Sequence, residues 1–274
     1  MTFDEKPIYL NARSINSTEK VRPMSIDERL TSEKYFEQYI KSEHYKDAIF
    51  DSKIIDNFLS DDELDVFEKA AASDDVYYVH DTSMETIALE KMGLTNYSTA
   101  HYYIFDKFYE KPEWQTLVDI LQPKLEATFG KGIKASHIHV LDSRFPYGLH
   151  NDAEQPNMKI APKPAWTLII PFADYNSQTY VFNERSGHKD PWSWIHANNI
   201  KPNETYAVDE ETYKRDFYPF TGYDVLQYLT VESIYKWKRG TCFAADRYRY
   251  HCSDNYFNHG LKGKKAIILW TSIE

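Results

Sequence analysis

From Ala135 onward the chain breaks into short apolar runs with no long helical pattern between them, and this constrains the fold more than any other feature. Residues 137–141, 166–172, 179–182, 241–245 and 266–272 each have strand length and are separated by turn residues. Many short strands without intervening helices predict an antiparallel sandwich or barrel. All-β units of this kind reach 274 residues as a single domain. Aromatics make up 16% of the chain, 22 of them tyrosines, whose rings can fill a core while their hydroxyls stay bonded or wet.

The first half reads differently. Residues 1–50 form a polar lead-in followed by a helical stretch, with Leu30, Tyr35, Phe36, Tyr39 and Ile40 at helical spacing and Ser25 and Glu28 placed as a capping box. Ile54 and Ile55 make a short strand-like run. Ser60 then caps a helix with an acidic first turn (Asp61, Asp62, Glu63) and an apolar face of Leu64, Val66 and Phe67. A second helix is predicted over 112–129, carrying Trp114, Leu117, Ile120, Leu121 and Leu125, and ended by Gly130 and Gly132. Residues 184–236, rich in Trp, Tyr and Pro, are too long for a simple connection. They predict an insertion with some structure of its own, placed to act as a lid. The expected layout is mainly β with flanking helices, the functional domain covering 51–274.

A net charge of −10 argues against nucleic acid or an anionic membrane as the main partner. The two cysteines, Cys242 and Cys252, are too few for a secreted disulfide scaffold and read as buried free thiols. The opening residues lack an apolar signal region, and no apolar run approaches the ~20 residues of a membrane helix. The expected compartment is the cytoplasm.

The chemistry is concentrated in Tyr147-Gly148-Leu149-His150-Asn151-Asp152. Alternate side chains of an extended segment share a face, so His150 and Asp152 can grip two adjacent positions of one metal ion. His251, following a strand far along the chain, is the natural third ligand. Two imidazoles and one carboxylate on one octahedral face leave three positions open, which suits Fe(II) with a keto-acid and O2. A four-sulfur zinc site is excluded by the cysteine count. Lys264, opening the run 266–270, could pair with the distal carboxylate of a dicarboxylate.

Taken together, these segments resemble the iron(II)- and 2-oxoglutarate-dependent dioxygenases, especially the branch of the prolyl 4-hydroxylases and their microbial and viral relatives. The matching pieces, in order, are Ile54 to Ser60 with the acidic helix, the motif ending in Asp152, the run from Thr167 to Phe172, and Gly240 to His251 followed by Lys264 to Trp270. The resemblance implies a double-stranded β-helix (a jelly roll, cupin-like), with His150, Asp152 and His251 as iron ligands and Lys264 on 2-oxoglutarate. The family pattern commonly has Arg at that last position. Lys265 competes for the role, but Lys264 shares its register with Ala266 and Ile268. In related halogenases a small residue replaces the carboxylate, so Asp152 implies hydroxylation or another oxidation, with release of succinate and CO2. The substrate would be a small molecule or a protein side chain.

Other readings of single residues stand beside these. His137 and His139 make a His-x-His pair but lack the accompanying cupin spacing, and read as ordinary strand residues. Glu154 could replace Asp152. His188, His196 and His259 read as solvated loop residues. Arg247 and Arg249 read as surface charge or as partners of a substrate anion. Trp192, Trp194 and Trp237 could line a cleft or pack the insertion. Two rival functions remain: a cupin-type metal enzyme that does not use 2-oxoglutarate, and a non-catalytic jelly-roll binding protein.

Overall fold

The computed structural model describes residues 15–16, 49–73, 77–81, 100–105, 107–152, 164–187 and 191–273. The helix expected before residue 48, with Ser25 and Glu28, lies outside them, as do Glu154 and His188.

Eleven strands form two antiparallel sheets among the described residues. The larger has the order β1 (Ile15–Asn16), β3 (Tyr77–Asp81), β4 (Ala100–Ile104), β5 (Ile133–Ser143), β11 (Lys264–Ile273), β6 (Pro164–Pro171), β9 (Cys242–Asp246), β2 (Lys53–Ile55). The smaller has the order β10 (Arg249–Ser253), β7 (Gln178–Arg185), β8 (Val231–Lys236). β11 is the spine of the large sheet, pairing with β5 on one side and β6 on the other.

Alternation along these strands divides the interior into two cores. On the outer face of the large sheet, Ile138, Val140, Leu168, Ile170, Ile267 and Leu269 pack with residues of two helices, α1 (Asp61–Ala71) and α2 (Gln115–Phe129). On the inner face, Ile169, Phe243, Ala245, Ala266 and Ile268 meet Val181 and Tyr235 of the small sheet. The two sheets therefore lie face to face, and the sandwich expected from the strand pattern is present.

Local sequence accounts for the helix ends. Ser60 accepts from the Glu63 backbone N–H while Glu63 accepts from that of Ser60, a complete capping box, and the acidic first turn suits the positive end of the helix dipole. Gly130 ends α2 at φ 100°, in a region that favours glycine. Gly240, also left-handed, lets its backbone touch Leu59, where an added Cβ would lie 2.4 Å from the carbonyl oxygen.

The expected insertion needs two corrections. Its last part is β8, an integral strand paired with β7, so the intervening segment ends at residue 230. β8 escaped recognition because its alternation is mostly polar and half-buried, with Tyr235 its one fully buried side chain. The intervening segment contains α3 (Pro191–Asn198) and short helical turns over 210–217 and 224–228. Its Ile195, Phe217, Val225, Leu226 and Leu229 pack on Tyr180, Phe182, Tyr250 and Cys252, the outer face of the small sheet. The segment backs that sheet, where the sequence suggested a lid. Trp192 and Trp194 belong to this packing. Both cysteines are buried and unpaired by disulfide, as expected.

Candidate metal centre

β10 lies in the small sheet with His251 opposite Val181, which turns His251 toward the inner core. The segment leading to Asp152 runs antiparallel beside it. His150 N–H donates to the His251 carbonyl at 3.0 Å, and His251 N–H returns the bond at 2.8 Å. Asp152 N–H donates to Arg247 O at 3.0 Å, and Arg247 Nη2 donates to Asp152 O at 3.0 Å. Asn151, facing away, is tied by Nδ2 to Ser186 O at 2.8 Å. Backbone pairing thus brings the three expected residues together.

Their ligand atoms all lie within 4.8 Å of one another. His251 Nε2 is 3.5 Å from Asp152 Oδ2, and His150 Nε2 is 4.0 Å from Asp152 Oδ1. His150 Nδ1 donates to Gly148 O at 2.7 Å and His251 Nδ1 to Arg249 O at 3.1 Å. These bonds place the proton on Nδ1 and leave each Nε2 lone pair for a metal. Thr167 of β6 donates its hydroxyl to Asp152 Oδ2 at 2.7 Å. Burial works against a charged Asp152, but His251, His150, Thr167 and Arg247 outweigh it and hold the carboxyl down at about 2. Two imidazole nitrogens and one ionised carboxylate make a donor set that fits a divalent first-row metal such as Fe(II).

Lys264, the first residue of β11, is buried in the same inter-sheet space. Its Nζ donates to Ser177 Oγ at 2.8 Å and Ser253 Oγ at 2.9 Å, and lies 3.8 Å from the centre of the Trp237 ring. Burial pushes its ammonium down to about 7, with Asp254 and Cys252 partly opposing. Lys265 points the other way, to Glu68 at the surface. Gly263 makes the approach possible, since a Cβ there would lie 2.9 Å from Ser143 O.

Several single-residue expectations change. Arg247 and Arg249 are buried: Arg247 braces the Asp152 backbone and Arg249 pairs with Glu232 at 2.6 Å. His259 is half-buried and has carboxylate partners, its Nε2 lying 3.4 Å from Asp216 and 3.5 Å from Asp254. His196, on α3, is exposed as expected and stacks on Trp192. Trp237 is a wall of the Lys264 pocket, with Nε1 bonded to Thr179. His137 and His139 do stand on a strand, β5, beside Trp270 of β11. Burial pushes the His139 imidazole down to about 4 and His137 down as well, so both are neutral. Thr167, Ser177 and Ser253 escaped the sequence reading. Ser253 had a signal, standing two residues after His251 on the same strand face.

No family model matches the chain, and no curated protein matches it. No helix among the described residues is long and apolar enough to cross a membrane. Among solved structures, the chain is similar to the non-heme alpha-ketoglutarate-dependent epimerase SnoN from nogalamycin biosynthesis, at 13% identity and TM-score 0.47, covering 88% of this chain and 84% of that one. It is similar to HygX from Streptomyces hygroscopicus, solved with nickel and 2-oxoglutarate, at 11% identity and TM-score 0.45, covering 92% and 88%. A prolyl-4-hydroxylase from Pseudomonas putida overlaps at 8% identity and TM-score 0.35, covering 82% and 94%.

Proposed function

We propose that this protein is an Fe(II)- and 2-oxoglutarate-dependent dioxygenase, a hydroxylase on a double-stranded β-helix formed by residues 51–274. The observation that carries the reading is the convergence of His150, Asp152 and His251 within 4.8 Å, in an inter-sheet space that also holds a buried lysine. These three residues would hold the iron. Lys264, with the Ser177 and Ser253 hydroxyls, would hold the distal carboxylate of 2-oxoglutarate. Ser253 follows His251 by two residues, a rise of about 7 Å along an antiparallel strand, which a five-carbon dicarboxylate can span.

The bound metal and cosubstrate would supply the oxidising chemistry, consuming O2 and 2-oxoglutarate and releasing succinate and CO2. The chain's own work is to orient and to exclude water. Gly148 and Arg249 carbonyls fix the two imidazoles, Thr167 fixes the carboxylate, and the apolar walls Ile169, Val181 and Ile268 keep the space between metal and lysine dry. The substrate would be a small molecule or a protein side chain.

Anaerobic titration with Fe(II) and 2-oxoglutarate tests the class. A visible charge-transfer band is expected, absent in His150→Ala and His251→Ala. Iron binding without a band would overturn the 2-oxoglutarate assignment and favour a metal enzyme that does without it.

A further inference from the structure

Lys264 is a buried cation whose direct hydrogen-bond partners among the described residues are neutral, the hydroxyls of Ser177 at 2.8 Å and Ser253 at 2.9 Å. A buried charge is costly unless a counter-charge lies near. Here the counter-charge stands one hydroxyl away. Ser177 Oγ in turn donates to Asp254 Oδ1 at 2.6 Å, so the bonds run from ammonium to hydroxyl to carboxylate. Ser253 Oγ donates to the Asp254 backbone carbonyl at 2.9 Å, with Oδ1 at 3.4 Å.

Asp254 is fully buried and fixed from both sides. Its Oδ2 accepts from the Gln178 N–H at 2.8 Å, and its own N–H donates to Gln178 O at 2.9 Å, which joins the end of β10 to the start of β7. Outside it, His259 Nε2 lies 3.5 Å from Oδ2 and 3.4 Å from Asp216, a second buried carboxylate held by Arg215, Tyr180 and Gln178. The charged and titratable groups around Asp254 are therefore Lys264 of β11, Cys252 of β10, His259 of the turn over 256–259, and Asp216 behind it. Joining the two strands needs only an acceptor, which a neutral amide supplies as well. Lys264 explains the negative charge. Burial pushes its ammonium down to about 7, and Asp254 leads the influences opposing that fall. A direct ion pair would occupy the ammonium, whereas a hydroxyl between the two charges leaves its remaining proton for an incoming anion.

We propose that Asp254 is a positioning residue for the distal carboxylate of the cosubstrate, acting through Ser177 and the Lys264 side chain without touching the cosubstrate itself. This rests on the oxygenase reading, which assigns the cosubstrate but gives Asp254 no part. The Asp254 carboxylate turns the Ser177 hydroxyl so that its lone pair faces Lys264, and it balances the cation before the anion arrives.

The test follows the anaerobic Fe(II) chelate band of the full chain during titration with two keto-acids at about pH 8, above the Lys264 value. 2-Oxoglutarate carries the distal carboxylate, and 2-oxopentanoate has a chain of the same length without it. Asp254→Asn should raise the 2-oxoglutarate midpoint about tenfold or more, leaving the 2-oxopentanoate midpoint and the Fe(II) affinity unchanged. The pH above which 2-oxoglutarate affinity falls should also drop by about one unit, because the ammonium has lost its counter-charge. Equal 2-oxoglutarate midpoints in the two proteins would overturn the proposal. So would an equal loss for both keto-acids, the mark of a merely structural role, or a pH break that does not move. Should Asp254→Asn fail to fold, Asp254→Ser, whose hydroxyl can still accept from Gln178, is read in the same way. No band in the unaltered protein would take down the oxygenase reading and this proposal together, whereas a normal band with an indifferent Asp254→Asn overturns this proposal alone.

Discussion

The two faces of the large sheet are made by the same strands and do opposite things. On the outer face of β5, β6 and β11, Ile138, Leu168, Ile170, Ile267 and Leu269 are buried against α1 and α2, with no polar atom to satisfy. On the inner face the alternate residues include His137, His139, Thr167, Lys264 and Trp270. The period of two lets one stretch of chain carry stability on one side and chemistry on the other. A residue's neighbours in sequence therefore say little about its role, whereas its neighbours at two positions' distance say a great deal.

That division can be broken from either side. His251→Ala should cost more than ~100-fold in metal affinity, measured by calorimetry with Fe(II) or a surrogate ion, while leaving thermal unfolding of the metal-free protein nearly unchanged, since its backbone pair with His150 persists. Leu269→Ala should do the reverse, lowering unfolding stability by about 2–5 kcal/mol in a denaturant titration, with metal affinity kept. If either substitution damages both properties equally, the two faces are not independent. Thr167→Val removes the hydroxyl that orients Asp152 and should weaken metal binding by about 10-fold to 100-fold. The smallest effect belongs to the outer layer: Ser60→Ala should cost about 1 kcal/mol of stability and leave the site untouched.

Lys264 gives the comparison a pH dependence. Its folded pKa is depressed to about 7 from the usual lysine range, so the folded protein loses this proton before the unfolded chain does. The penalty for burying the charge is fully present below about 7 and fades as pH rises toward the unfolded value, so this residue makes stability increase over that window. If Lys264 holds an anionic cosubstrate as proposed, its affinity should fall by up to about tenfold per pH unit above about 7. Lys264→Met should abolish both slopes, readable by melting curves and by 2-oxoglutarate titration across pH.

How much of this was legible beforehand follows from the same physics. His150, Asp152 and the inward turn of Lys264 could be read because two-residue spacing survives in the sequence whatever the fold does, and His251 because it follows a recognisable strand. The capped helix α1 was legible because caps are local. β3, β4 and β8 were missed, since their tyrosines and polar residues pair with distant strands and acquire meaning only in register. Arg247 and Arg249 looked like surface charge because their buried partners, the Asp152 carbonyl and Glu232, lie on other segments.

The reciprocal backbone bonds between His150 and His251 carry one more consequence. The spacing of the two imidazoles is set by a rung of β-ladder, so an arriving ion finds its seat already furnished and has almost no chain to order. Loading should then be quick and undemanding of folding energy, and a chelator should strip the ion while leaving circular dichroism unaltered. The same rung ties ion choice to geometry: a cation wanting wider ligand spacing would have to stretch the ladder, and would be refused by the architecture before chemistry is consulted.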